Sequence, residues 1–331
     1  MLYIKTNSTD AAYHFSVEEY IMRHFNSGQP VMMIWQAEKC VMLGNYQVAG
    51  AQVNMSFARE AGIGIVRRSS GGGAIFTDLG TLLYTMILPY TGGQCAQTIA
   101  KETVADAVVD ALNKMGIPAV QEGRNDILLD GKKISGLAQY IRHGHLCTHG
   151  SLLYDTDLEM LAQVLNVDED KIRSKAIRSV RSRVTNIKPY MERPCEVEDF
   201  RNLLKLKLLG SREVREYTFN ADELGEIDRI YHEKYGNPSW TFESSPKFTL
   251  HSSKRFAGGK VEVYLDVAKG AVVSCSIRGD FLGIVPIRGL EEHLEKQAFQ
   301  YETIRSALNE IMLEPYLGGI TKSEFLSCIF D

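Results

Sequence analysis

GIGIVRRSSGGGAIFTD, residues 62–78, decides how the fold is read. Its first part, GIGIVRR (62–68), suits a buried strand. The SSGGG that follows breaks regular structure before LLYTMILP (82–89) resumes it, so the break sits between two core strands. Glycines 71–73 let the backbone approach a ligand closely and turn successive N–H groups inward as an anion nest, and Arg67 or Arg68 can add a bidentate cationic contact. No Gly-Lys-Ser/Thr follows, so this is not a Walker loop. Arg67 stands where the third glycine of a dinucleotide fingerprint belongs, which excludes that too. On composition alone a flexible turn is the competing reading.

Working outward, Asp10 is placed to cap a helix carrying Phe15, Tyr20, Ile21 and Phe25, and VMMIWQ (31–36) with CVMLG (40–44) reads as a strand pair. Ile99, Val104, Val108, Ala111 and Leu112 recur at helical spacing until Gly116 and Pro118 end the run. Asp130-Gly131 tolerates positive φ and predicts a hairpin between NDILL and KKISGLAQYI, with Lys132 and Lys133 opening the return strand. HLCTHGSLLY predicts another strand, Asp157 caps a helix over DLEMLAQVLN, and EVEDFRNLLKLKLLG (196–210) is helical. YGNPSWTFESSPKF (235–248) mixes Gly, Pro and Ser with exposed-looking aromatics and reads as a linker. Beyond it come a hairpin around Lys269-Gly270, an amphipathic helix from Leu290 to Met312, and a capping box at 321–324. The expected organisation is α/β (α+β): a large domain, 1–247, with mixed sheets and packed helices, and a small α+β domain, 248–331.

The chain's 331 residues are 44% hydrophobic and 24% charged, enough for a sizeable core, and the net charge of -4 gives no overall attraction for nucleic acid or anionic membrane. Six scattered cysteines without a C-x-x-C pair argue against a disulfide framework or a structural zinc site. No signal-like start or membrane-length apolar run occurs, so the expected compartment is the cytoplasm.

Three further constellations carry potential chemistry. KIRSKAIRSVRSRVTNIK (171–188) holds seven cations and no acid, which in an acidic chain implies a polyanion such as ATP; a nucleic acid fits less well because base-stacking aromatics are missing. Asn125 and Asp126 offer oxygen ligands for a magnesium ion bound mainly through nucleotide phosphates, and a lysine across the hairpin faces the same space. His149 is a candidate base and Cys147 beside it a candidate nucleophile; on a strand the two share a face. Taken singly, each has a bland alternative as a solvated basic face, a solvated hairpin or ordinary packing.

In order along the chain, RRSSGGGAIFTD, GRNDI, GKKISG, THGSLL and SVRSRVTNI resemble the lipoate–protein ligase family, from YIKTNSTD at the start to the small C-terminal domain. The resemblance implies a catalytic domain of the fold shared with biotin–protein ligases, binding both acid and nucleotide, and a small mobile C-terminal domain. It also implies ATP-dependent formation of lipoyl-AMP, then transfer to a lysine of a lipoyl-carrier domain, of the 2-oxoacid dehydrogenase E2 or glycine-cleavage H type. The implied cofactors are ATP and magnesium, with lipoate as substrate and no nucleic-acid or membrane partner.

Residue by residue, the likeness places Arg68, Ser70, Gly71, Gly72, Gly73, Lys133, Gly136, His149 and Gly150 around lipoate. Arg68, Gly73, Ala74, Ile75, Phe76, Lys133, Ser179, Arg181, Arg183 and Val184 would surround ATP or the adenylate, and Lys133 would be catalytic. The chain departs from the family's usual pattern at Asn45, at Thr77 and Thr81, and at Thr148, positions that surround the site without removing its Arg, Gly or Lys elements. Two other readings stand beside this one. A Cys147-dependent octanoyl or lipoyl transferase would need no ATP, and a non-catalytic binding module would use the basic segment to dock an acidic partner or nucleic acid. The missing Gly-Arg-Gly-Arg type of loop disfavours a biotin ligase.

Overall fold

The structure, a computed structural model, describes residues 1–25, 28–123, 125–165, 182–210, 212–242 and 249–330. Its strands are β1 (Leu2–Ile4), β2 (Val31–Trp35), β3 (Cys40–Leu43), β4 (Gly64–Arg67), β5 (Ile75–Thr77), β6 (Thr81–Pro89), β7 (Val120–Glu122), β8 (Asp126–Leu129), β9 (Lys132–Arg142), β10 (His145–Leu153), β11 (Arg215–Tyr217), β12 (Leu250–Phe256), β13 (Gly259–Ala268) and β14 (Ala271–Gly279). They form an eight-stranded sheet, β11-β1-β2-β6-β10-β9-β8-β7, and two three-stranded sheets, β4-β3-β5 and β12-β13-β14.

Period-two alternation builds the main sheet, because successive side chains point to opposite faces. Along β2, Val31, Met33 and Trp35 enter one core while Met32 and Ile34 enter the other. Along β6, Leu83 and Ile87 oppose Leu82 and Tyr84 in the same way. The helix Ala11–His24 covers the first face, and the Asp10 carboxylate caps it by accepting from the N–H groups of Ala12 and Tyr13. Helices Asp106–Asn113 and Val197–Leu209 cover the second face. Each fully buried aliphatic or aromatic side chain contributes about 1.5–3 kcal/mol, so a strand buried on both faces anchors the sheet.

Several sequence expectations change. β2 and β3 do not pair: β2 joins the main sheet, whereas β3 binds β4 in parallel and β5 antiparallel. Nor is β4 buried, since it lies at the edge of the small sheet and only Arg67 of its residues is buried. The helix expected from Leu290 to Met312 is two helices, Arg288–Leu294 and Tyr301–Asn309. Between them Lys296 takes a left-handed φ of 68°, its N–H donates to Val272 O, and the Val272 N–H donates to Gln297 O. Pairing with β14 therefore competes with helix propagation. In the expected linker, Tyr235 is buried and the Trp240 Nε1–H donates to Arg67 O at 2.9 Å, so the first half belongs to the large unit. The third sheet begins at Leu250 and packs with the last helices around its own apolar cluster.

Candidate active site

Lys133 is positioned by the hairpin that the sequence predicts. Asp130 (φ 51°) and Gly131 (φ 70°) make the two-residue turn between Leu129 and Lys132, with both central residues left-handed as such a turn requires. A bulge then shifts the register, pairing Leu128 with Lys133 and Asp126 with Gly136. The result is an ion pair of 2.8 Å between Lys133 Nζ and Asp126 Oδ1, each side chain 37% exposed. Gly136 makes room for it: a Cβ there would lie 2.9 Å from Lys133 Nζ. The Lys133 carbonyl accepts from the Thr185 N–H at 3.1 Å, and Val184 forms a parallel bridge with Lys133, so the end of the basic segment runs beside this lysine.

The glycine loop is held from inside by two buried arginines. Arg68 donates from Nη1 to Met42 O, from Nη2 to Gly71 O and Gly73 O, and from Nε to Ser70 Oγ, all within 2.8–3.0 Å. Burial, with Arg67 alongside, lowers its pKa to about 10, leaving it cationic at neutral pH. Arg67 donates to the carbonyls of Gly44, Asn45, Gln47, Trp240 and Thr241. Arg67 thus ties the loop to neighbouring backbone, and Arg68 shapes the loop's curvature while presenting an edge to the cleft. The Cβ of any residue replacing Gly71 would meet Phe281 O at 2.6 Å, and Gly72, at φ 89°, donates its N–H to that carbonyl.

Behind the loop lies a hydrogen-bonded series that was not legible in sequence. His149 Nδ1 sits 3.1 Å from both oxygens of Glu18, a carboxylate buried on the helix Ala11–His24, and Nε2 sits 2.7 Å from Ser70 Oγ. An ionised carboxylate only accepts, so Nδ1 carries the proton, and in a neutral ring Nε2 accepts from Ser70. Glu18 also accepts from Thr85 Oγ1 at 2.6 Å, and that hydroxyl accepts from Trp35 Nε1–H at 3.1 Å. The signal available in sequence was faint: Glu18 and Glu19 interrupt the apolar face between Val17 and Ile21.

One cleft lies between β9–β10 and the small sheet, with about 590 Å3 of non-protein space including its open mouth. Arg68, Gly72, Gly73, Ala74, Ile75, Asn125, Lys133, Gly136, His149 and Gly150 line it, joined by the unanticipated apolar residues Phe15, Trp35, Met42, Leu83, Leu137 and Ala138. Gly150 leaves space for Tyr84, whose Oη would lie 2.3 Å from an added Cβ. Other expected residues lie elsewhere. Phe76 is buried in the core between the small sheet and the helix Leu158–Val164, Gly71 faces Phe281, and Ser70 stands behind His149. Arg183 is exposed beside Val184, and Ser179 and Arg181 fall outside the described residues.

Asp126 and Asn125 supply hard oxygens next to Lys133, and the Asn125 side-chain N–H donates to Leu137 O at 2.8 Å. That donor set fits magnesium, which needs only one or two protein oxygens when phosphates and water complete its shell. Cys147 does not fit a nucleophile's role: it is fully buried, and burial together with Glu18 pushes its thiol well above the ordinary range.

Two family models match the chain. Residues 10–208 match the lipoyl protein ligase A/B catalytic domain, and residues 245–329 match the bacterial lipoate protein ligase C-terminus. The chain is 34% identical to the lipoate-protein ligase LplJ of Bacillus subtilis over 334 residues, covering 100% of both. Among solved structures it resembles a bipartite lipoate protein ligase studied with its E2 lipoyl domain from Thermoplasma acidophilum (TM-score 0.67, 28% identity, 75% of this chain and 98% of that one). It also resembles a lipoate-protein ligase A bound with ATP (TM-score 0.64, 27% identity, 73% of this chain and 97% of that one).

Proposed function

The chain belongs to the lipoate–protein ligase family, and from that premise we propose that it activates lipoate with ATP as lipoyl-AMP and transfers the lipoyl group to a lysine of a lipoyl-carrier domain. The observation that carries this reading is Lys133: an ammonium held by Asp126 in a cleft that is otherwise lined by glycine backbone, apolar side chains and the polar groups of Arg68, Asn125 and His149.

In the first step a lipoate carboxylate oxygen attacks the α-phosphorus of ATP, the new O–P bond forms, and diphosphate leaves. No protein nucleophile is needed; the chain supplies positioning and positive charge. Phe15, Trp35, Met42 and Leu83 suit the hydrocarbon of the acid, while the Gly72–Ile75 backbone and Val184 flank the nucleotide side. Asp126 and Asn125 would hold magnesium, which when bound neutralises phosphate charge. In the second step the carrier's lysine amine attacks the mixed-anhydride carbonyl, AMP departs, and the amine sheds a proton to solvent. Lys133 Nζ stabilises negative charge on the phosphate oxygens first and on the carbonyl oxygen second.

Losing one such donor costs about 2.7–4 kcal/mol, or roughly 10²–10³ in rate. Lys133→Ala is therefore expected to reduce both lipoate-dependent ATP–diphosphate exchange and carrier acylation by that order while retaining the wild-type circular dichroism spectrum. Near-normal rates in both assays would remove Lys133 from the mechanism.

A further inference from the structure

Behind the His149 ring, Glu18, Cys147 and His149 form the one group among the described residues with the composition of a metal site: a carboxylate oxygen, a thiol sulfur and an imidazole nitrogen, all within 4.8 Å of one another. We propose that these three side chains bind a zinc ion, with His149 coordinating through Nδ1, and that the ion enters from the cleft side, which His149 alone of the three lines. The site goes beyond the ligase reading and does not depend on it.

Three observations support the assignment. The first is geometric. With Zn–N and Zn–O near 2.1 Å and Zn–S near 2.3 Å, tetrahedral ligand atoms sit roughly 3.3–3.7 Å apart, so gathering this trio takes shifts on the order of 1 Å. His149 Nδ1 and Glu18 are already 3.1 Å apart.

The second is charge. A buried carboxylate and a thiolate together carry two negative charges, which a divalent ion cancels, whereas without the ion Glu18 is held only by hydrogen-bond donors such as His149 and Thr85. Binding is then M²⁺ plus thiol giving metal thiolate plus one proton. The third is a neighbouring donor: the Tyr140 hydroxyl, buried opposite Cys147 in the β9–β10 register, faces the Cys147 side chain, where it can donate to the sulfur of a metal thiolate. Cys, His and carboxylate together suit zinc, a borderline-soft ion, better than magnesium or calcium.

Occupancy would reach the cleft. Coordination through Nδ1 moves the His149 proton to Nε2, turning that nitrogen from an acceptor of the Ser70 hydroxyl into a donor to it, while Arg68 Nε already donates to the same oxygen. Ser70 must then rotate its own proton away from His149 and accept from both His149 and Arg68.

The test uses the full-length protein with cobalt(II) as a spectroscopic substitute and zinc in competition, without nucleotide or lipoate. The expected result is one ion per chain, a thiolate-to-cobalt charge-transfer band with tetrahedral d–d bands, and displacement by zinc. Cys147→Ser abolishes the charge-transfer band and weakens zinc binding at least ~10-fold, while substitution of the exposed Cys95 by Ser changes neither. Cys147→Ala, which deletes the ligand without adding a hydroxyl, serves if the serine variant does not fold. No band, a band that survives loss of Cys147, or one that disappears with Cys95 overturns the proposal. None of these readouts needs ligase activity, so the outcome is separable from that of the proposed function.

Discussion

Lys133 is useful only because of what surrounds it: a bulge that brings Asp126 opposite Gly136, and a glycine that leaves the ammonium space. Gly136→Ala would put a Cβ against a flexible chain end, which moves aside at small cost to the fold. The expected outcome is an unchanged melting temperature with acylation falling about tenfold, equivalent to ~1.4 kcal/mol of lost transition-state positioning; equal losses of stability and rate would instead mark a packing defect. Thr77 and Thr148, two positions where the chain departs from its family's usual residues, both carry buried hydroxyls without a hydrogen-bond partner. A buried unpaired polar group costs about 1–3 kcal/mol. Thr148→Val should therefore raise the unfolding free energy by about 1 kcal/mol in urea titrations, and a loss of stability there would mean that the hydroxyl has a partner, such as a bound water.

Between the helix Ala11–His24 and the π-helical turn Tyr231–Tyr235, the Glu19 carboxylate accepts from Lys234 Nζ (2.5 Å), Tyr235 Oη (2.6 Å) and Arg23. Lys234 and Tyr235 both reach Ser69, so these two elements hold the start of the glycine loop. Burial alone would raise Glu19, but Lys234, Tyr235 and Arg23 outweigh it and lower the carboxyl from 4.5 to about 2. Because the folded value lies below the unfolded one, the stabilisation is present in full above pH 4.5 and is lost as pH falls toward 2. Glu19→Gln, which leaves Lys234 buried without its anion, should cost about 3–5 kcal/mol near pH 7, and the gap from wild type should narrow below pH 4.5 in denaturation curves. A gap independent of pH would refute the charge argument.

This same element scale shows how far the sequence could be read. Local signals held: the Asp10 and Asp157 caps, the Asp130-Gly131 and Lys269-Gly270 turns, and the strands β9 and β10. Non-local pairings were hidden. Nothing in residues 31–44 says that β3 leaves β2 for β4, and nothing in residues 290–312 shows that β14 captures the backbone at Lys296. Likewise the glycine loop, Lys133 and His149 stood out by residue type, whereas Glu18 became part of the site only once a helix and a strand 131 residues apart were packed together.

At the scale of the whole molecule, the small C-terminal unit docks on the glycine loop and on β9. The Phe281 and Ile284 carbonyls accept from the Gly72 and Ile141 N–H groups at 3.1 and 2.8 Å. Tyr46 stacks on Phe281 with ring centroids 5.0 Å apart and donates its hydroxyl to Val285 O at 3.1 Å. An aromatic pair contributes about 0.5–1.5 kcal/mol and a hydrogen bond about 1. Tyr46→Ala should accordingly speed hydrogen exchange at Gly72 and Ile141 by about tenfold or more while amides in β6 stay protected; unchanged exchange would show that the docking does not rest on this stack. The loop that would receive the acyl group is thus held by Arg67 and Arg68 from within, by Tyr235 and Lys234 from one side, and by Phe281 from the other. All of that scaffolding matters for function only if the cleft joins an acid to AMP beside Lys133. Intact-mass spectrometry of a lipoyl-carrier domain incubated with the protein, lipoate, ATP and magnesium tests this most directly. The account predicts one lipoyl group added to one lysine, strictly dependent on ATP and nearly absent with Lys133→Ala, and it is contradicted by ATP-independent transfer or by a fully active Lys133→Ala protein.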